Sequence, residues 1–169
     1  GSSWVIPETG IILNNRLTGF LLDPQSPNII APGKRPAHTL NAFTAVHPDG
    51  TLYLVGGTPG ANIQVQSNLQ LITNMVDLKM NVQEATEAPR WQHLNASGQS
   101  SEEEKGLGVL EIESRVSDDV FEQLRAKGHE VKALGAWGHG SSVQMMEVLA
   151  NGTFAFGSDP RCEGHASGI

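Results

Sequence analysis

Two apolar, β-prone runs, Thr44-Ala45-Val46 and Leu52-Tyr53-Leu54-Val55, flank Pro48-Asp49-Gly50, whose residues favour a tight turn; the pattern predicts a hairpin. Downstream the period changes. Val65, Leu69, Ile72 and Val76 recur at spacings of four, three and four, one face of a helix. Leu71, Met75 and Leu78 lie off that stripe, so the helix is expected to be covered on more than one side. Asn62 stands where its N-cap would be.

Asn81-Val82-Gln83-Glu84 has capping-box spacing and opens a short helix that Pro89 must stop. Val109-Leu110-Glu111-Ile112-Glu113 alternates as a half-buried strand does. Ser117-Asp118-Asp119 caps a helix running through Phe121 and Leu124 to Lys127-Gly128, acids first and bases last. Strands are predicted at 130–134, 143–149 and 153–156, the last two joined by a tight Asn151-Gly152 turn. Residues 1–20 read as extended and turn-rich, 21–36 (four prolines) as a long surface loop, and 96–105 as a polar loop. The expected class is α+β in a single domain over 1–169. The C-terminal hairpin implies antiparallel strands and counts against a doubly wound parallel sheet.

Between the hairpin and the first helix lies Gly56-Gly57-Thr58-Pro59-Gly60-Ala61. Its glycines let a ligand or another backbone approach closely, and the helix that follows presents unpaired amides. Such a turn can hold a carboxylate, a phosphate or an acyl-transfer oxyanion. No Lys follows, which excludes the phosphate loop of nucleotide hydrolases. The same residues would equally make a β-to-α turn with no ligand.

Composition narrows the partners. The 169 residues are 38% hydrophobic and 17% charged, which speaks against disorder. A net charge of −7, to which Glu102-Glu103-Glu104 contributes as a solvated run, argues against a nucleic-acid partner. No apolar run is long enough for membrane insertion. Cys162 is the sole cysteine, so no intrachain disulfide forms. The six histidines lack H-x-x-x-H spacing, and neither a metal nor a cofactor is expected. Asn95-Ala96-Ser97 and Asn151-Gly152-Thr153 match glycosylation sequons, the second inside a turn. The cytoplasm is the expected compartment, with the periplasm or secretion as alternatives.

Several motifs occur in a distinctive order: Pro7-Glu8-Thr9-Gly10 with Asn14-Asn15-Arg16, then Pro32-Gly33-Lys34-Arg35-Pro36 with His38-Thr39-Leu40-Asn41. Gly57-Thr58-Pro59-Gly60, Ala88-Pro89-Arg90-Trp91 and Ser158-Asp159-Pro160-Arg161 follow. Together they resemble the small subunit of the γ-glutamyltransferase family across the whole chain, and within it the oxamate amidohydrolase and acylase-like members. The resemblance implies an N-terminal-nucleophile hydrolase fold, an αββα sandwich of which this chain is part. It also implies a proenzyme that cleaves itself into two subunits, with a new N-terminal threonine as nucleophile and its α-amine as base. The family's nucleophile segment is absent here, and Gly1-Ser2-Ser3-Trp4 reads as a cut in mid-fold, so a large subunit from the same precursor is the expected partner.

By the same resemblance, Gly60 and Ala61 fall at the family's paired oxyanion-hole glycines; alanine retains the N–H provided its backbone needs no positive φ. His38 and Thr39 fall where transferases carry two serines that hold the substrate carboxylate, unless they only tether the loop. Arg16, beside Asn15, falls where a polar residue faces the substrate's amino end, and Gly19 where an aspartate pairs with that amine. An arginine without the acid favours a small amide substrate ending in carboxylate over a γ-glutamyl substrate. The structural alternative for Arg16 is an ion pair with Glu8 or Asp23. Arg90-Trp91 and Asp159-Pro160-Arg161 read as architectural. The expected function is an amidohydrolase or acylase; a true γ-glutamyltransferase and a noncatalytic binding or assembly module are the alternatives.

Overall fold

The hairpin forms where the turn residues require it. In this computed structural model, which describes residues 2–94 and 108–165, β1 (Ala42–Val46) pairs antiparallel with β2 (Leu52–Gly57). Strand β2 pairs antiparallel with β6 (Gln144–Val148), and β6 with β7 (Phe154–Ser158), giving a four-stranded sheet in the order β1-β2-β6-β7. Helices α1 (Gln64–Val76) and α2 (Val82–Glu87) pack on it, and Leu54, Leu71, Met75, Val82, Ala85, Val143 and Met145 form the shared core.

A second sheet orders β3 (Trp91–Leu94), β4 (Val109–Glu113) and β5 (Glu130–Leu134). Strands β3 and β4 are antiparallel, whereas β4 and β5 are parallel with α3 (Asp118–Ala126) as their crossover. The α+β expectation therefore holds with one parallel pair inside it. Strand β3 has no local signature, because four residues are too few to show a period and its partner is distant in sequence.

These sheets belong to one of two compact units, Leu40–Ile169; the other is Gly1–Thr39. The smaller unit is held by a Val5–Ile12 antiparallel bridge, a Leu21–Ile29 parallel bridge and a 3-10 turn at Arg16–Gly19. The expected polar loop at 96–105, with its acidic run and the Asn95 sequon, lies outside the described residues. Among the described residues no helix is long and apolar enough to cross a membrane, and no cluster of His, Cys, Asp or Glu is placed to hold a metal ion.

Three local expectations are corrected. First, α1 turns its regular apolar stripe outward: Val65 is 66% exposed and Leu69 59%, while Gln64, Ser67, Asn68, Gln70, Leu71 and Met75 are buried. The inner face is polar because it docks on backbone. Gln70 donates to Trp91 O at 2.8 Å and accepts from Trp91 N at 3.0 Å. Gln66 does the same at His93, at 3.0 and 2.7 Å. Two carboxamides thus stand in for a neighbouring strand along β3.

Second, the glutamates of β4 are not on a wet face. Glu111 and Glu113 are buried, Glu111 against Lys132 and Gln92 and Glu113 among arginines. Third, two caps differ. The backbone of Asn62 lies inside a 3-10 turn, Ala61–Ile63, so Ile63 occupies the N-cap of α1 and makes no side-chain cap bond. Ser117 does precede α3, but its hydroxyl makes no cap bond either. The capping box at Asn81 forms in full, with Asn81 Oδ1 accepting from Glu84 N at 2.9 Å and Glu84 Oε2 from Asn81 N at 3.0 Å.

Candidate functional site

The chain leaves β2 through Thr58-Pro59-Gly60 and enters α1 through the 3-10 turn. Buried Thr58 donates its hydroxyl to Asn68 Oδ1 at 3.1 Å, and Asn68 Nδ2 donates to Asn41 O at 3.1 Å, tying the turn to the first helix and to the start of β1. Gly60 has φ 127°, a region open only to glycine, and its carbonyl accepts from Ile63 N at 3.2 Å. Ala61 follows at φ 50°, so this alanine sits in the left-handed region that the sequence reading required it to avoid. Among the described residues no backbone carbonyl takes the Gly60 or Ala61 N–H, as befits the first amides of a helical turn. Two adjacent amides free to donate can stabilise a developing oxyanion or bind a carboxylate.

Behind the turn lies a buried ionic network. Arg90, 1% exposed, pairs with Asp159 and donates from Nη1 to Ser141 O at 2.9 Å and from Nη2 to Thr86 O at 3.1 Å. Arg161 binds Glu113 through Nε (2.6 Å) and Nη2 (2.5 Å) and Asp159 through Nη1 (2.9 Å). Arg115 donates to Glu113 at 2.8 Å and stacks over Trp137, 3.5 Å from the ring centroid.

Burial on its own would raise the Glu113 carboxyl. The hydrogen bond from Arg161 and that from the Arg90 amide outweigh it and hold its pKa at about 2. Burial, reinforced by Arg90, pushes His139 down, so its imidazole is neutral. His139 Nδ1 accepts from Ser141 N at 3.1 Å, which assigns the ring proton to Nε2. Among the described residues Nε2 has no partner.

Arg90, Asp159 and Arg161 are thus tied together in a buried ion network, whereas Trp91 enters only through its backbone, which Gln70 holds. Glu113, His139 and Ser141 were missed. Alternation hid Glu113, and no local pattern marks the other two.

The remaining candidates all lie in the unit Gly1–Thr39. Asn15 precedes the 3-10 turn that Arg16 opens, and Arg16 N is held by Asn14 Oδ1 at 2.9 Å. The Arg16 side chain is exposed, and among the described residues it makes no ion pair, so the tie to Glu8 or Asp23 is not formed. Asn28 staples Gly19 to the segment before His38: it donates to Gly19 O and accepts from Ala37 N at 3.0 Å. A Cβ on Gly19 would lie 3.0 Å from Ala37 O. His38 is exposed and Thr39 half-buried. Gly19 is thus brought against the residue preceding His38 and Thr39, while Gly60 and Ala61 belong to the other unit.

The family model for gamma-glutamyltranspeptidase matches residues 1–169. The oxamate amidohydrolase proenzyme of Klebsiella pneumoniae is 36% identical over 172 residues, covering 99% of this chain and 31% of that protein. The glutathione hydrolase proenzyme of Escherichia coli is 34% identical over 171 residues, covering 95% of this chain and 27% of that protein. Among solved structures, gamma-glutamyltranspeptidase of Helicobacter pylori superposes with a TM-score of 0.77 at 27% identity, covering 96% of this chain and 87% of that one. The chain spans less than a third of the length of these curated relatives.

Proposed function

Since the chain belongs to the gamma-glutamyltranspeptidase family, we propose that it is the oxyanion-hole and carboxylate-binding part of a two-subunit amide hydrolase. The nucleophile is an N-terminal threonine hydroxyl outside residues 1–169, with its own α-amine as base. That oxygen attacks the substrate's amide carbon, and the Gly60 and Ala61 amides stabilise the negative charge that develops on the carbonyl oxygen. The amine then leaves with the proton taken from the hydroxyl, and water releases the acid from the ester. The single observation that carries this reading is the pair of adjacent amides at Gly60 and Ala61 with no backbone acceptor.

Arg16 and Gly19 set the substrate class. An exposed guanidinium without an ion pair suits a carboxylate, and a glycine with little room for a side chain offers an ammonium no partner. Small dicarboxylic-acid amides fit this pairing, with His38 and Thr39 as further donors. The likeness to a protein named glutathione hydrolase favours a second reading, γ-glutamyl transfer or hydrolysis.

The partner is a larger subunit from the same precursor, seated in part on the exposed Val65 and Leu69 face of α1. The relatives named proenzymes are more than three times the length of this chain, which supports that reading.

The test compares kcat/KM for a γ-glutamyl anilide with that for its deaminated glutaryl analogue, using enzyme matured from the full-length precursor. A preference for the glutaryl compound is expected. A preference for the γ-glutamyl compound selects the second reading, and no turnover of any amide removes both.

A further inference from the structure

A serine in the loop before β6 reaches back 82 positions to the turn. Ser141 is 1% exposed and donates its hydroxyl to Pro59 O at 2.7 Å; its 3.5 Å approach to Ser142 O is too long to compete. Every polar group of this residue is engaged, since its N–H binds His139 Nδ1 at 3.1 Å and its carbonyl accepts Arg90 Nη1 at 2.9 Å. His139 is itself held through its backbone N–H to Glu113 Oε1 at 3.2 Å. The hydroxyl therefore projects from a backbone that cannot easily shift.

We propose that Ser141 is a positioning residue for the oxyanion turn: its hydrogen bond to Pro59 O sets the direction in which the Gly60 N–H points. The Pro59 carbonyl and the Gly60 N–H share one peptide plane, and in a trans peptide they point in opposite directions. Pinning the oxygen on one side aims the N–H to the other. A Cβ on Gly60 would lie 2.9 Å from Ile63 Cγ1 and 3.1 Å from Ser141 Cβ, so Ser141 and Ile63 both pack closely against the turn. Gly60, with φ 127° and ψ 20°, then carries this orientation on to the Ala61 amide. The turn has no side-chain cap of its own, so this distant hydroxyl supplies the constraint that a local cap otherwise would.

The inference rests on the proposed role of the Gly60 and Ala61 amides, and the experiment separates the two. Ser141→Ala and Gly60→Ala are made in enzyme matured from the full-length precursor, and kcat is expressed per site counted with a covalent acylating inhibitor. Deleting an oxyanion donor costs about a hundredfold or more in kcat. Misaiming one should cost roughly a tenth to the whole of that factor, with KM within about twofold of the parent. Ser141→Ala is expected to show this split with a fall of no more than a few degrees in melting temperature, as for loss of a helix cap, and Gly60→Ala to lose activity as well.

If Gly60→Ala loses activity while Ser141→Ala retains its kcat per site, the positioning role is overturned and the oxyanion reading stands. If neither variant loses kcat per site, the oxyanion reading falls and takes the positioning role with it. A fall in melting temperature or in the number of sites, with kcat per site intact, marks Ser141 as merely structural. Should the alanine variant fail to mature, Ser141→Thr and Ser141→Val supply the same comparison, because the pair differs only in the hydroxyl. Equal kcat per site in those two overturns the proposal.

Discussion

Arg161 grips both oxygens of Glu113, Nε to Oε1 at 2.6 Å and Nη2 to Oε2 at 2.5 Å, and neither side chain is more than 2% exposed. The pair closes β4 against the segment after β7, and Glu113 also accepts from the Arg90 amide at 3.0 Å. Removing one partner of a buried pair leaves the other charge uncompensated, at a cost of about 3–5 kcal/mol. Glu113→Gln, which keeps the shape, should destabilise the assembled protein on that scale, read as a lower urea midpoint. An unchanged midpoint would mean that water reaches the pair.

Acid should weaken the protein in two stages. His139 is buried neutral with a depressed pKa, so the unfolded state binds its proton first, and stability begins to fall as pH drops through the ordinary histidine range. The Glu113 carboxyl is held at about 2, so its contribution is full above the unfolded carboxylate range and is lost as pH falls towards 2. His139→Asn keeps an acceptor for Ser141 N and should abolish only the upper stage. Urea midpoints measured between neutral pH and pH 3 test both stages.

Ala61 at φ 50° carries left-handed strain of about 1 kcal/mol that glycine would not. Ala61→Gly should therefore raise the melting temperature by a few degrees, and Ala61→Val should lower it. Ala61→Pro is a poor way to delete the amide, because proline fixes φ near −65° and would move the whole turn.

Substrate choice should follow the charges at Arg16 and Gly19. Each charge-assisted bond gained or lost is worth about 1.5–3 kcal/mol. Arg16→Gln with Gly19→Asp should shift the ratio of kcat/KM values towards γ-glutamyl donors by roughly two to four orders of magnitude if the effects add. The 3.0 Å approach of a Cβ to Ala37 O means that Ala37 must yield slightly, so Gly19→Ala serves as the control for that movement. An unchanged ratio in the double variant would remove both residues from substrate recognition.

The outward stripe of α1 should behave as an interface. Leu69→Lys and Val65→Lys touch little within the chain, yet they should abolish co-purification of the two halves of the precursor product. Residues 1–169 expressed alone should be insoluble or molten, whereas a cooperatively melting monomer would count against a covering subunit.

What could be read without a structure was local. The hairpin around Pro48-Asp49-Gly50, the capping box at Asn81, the strands at 109–113 and 130–134 and the glycine turn before α1 are each specified by neighbours within a few residues, and they form as expected. The family too was legible, because its motifs are short and ordered. Direction was not legible. Periodicity says that α1 has an apolar stripe, but not that Gln66 and Gln70 would spend its other face on the backbone of β3. Alternation placed Glu113 on a polar face, and only the arrival of Arg90 and Arg161 from distant segments made that face an interior. Ser141 is the clearest case. Nothing within ten residues of it or of Pro59 announces their bond, because a hydroxyl meeting a carbonyl across 82 positions is set by how the sheets and helices pack.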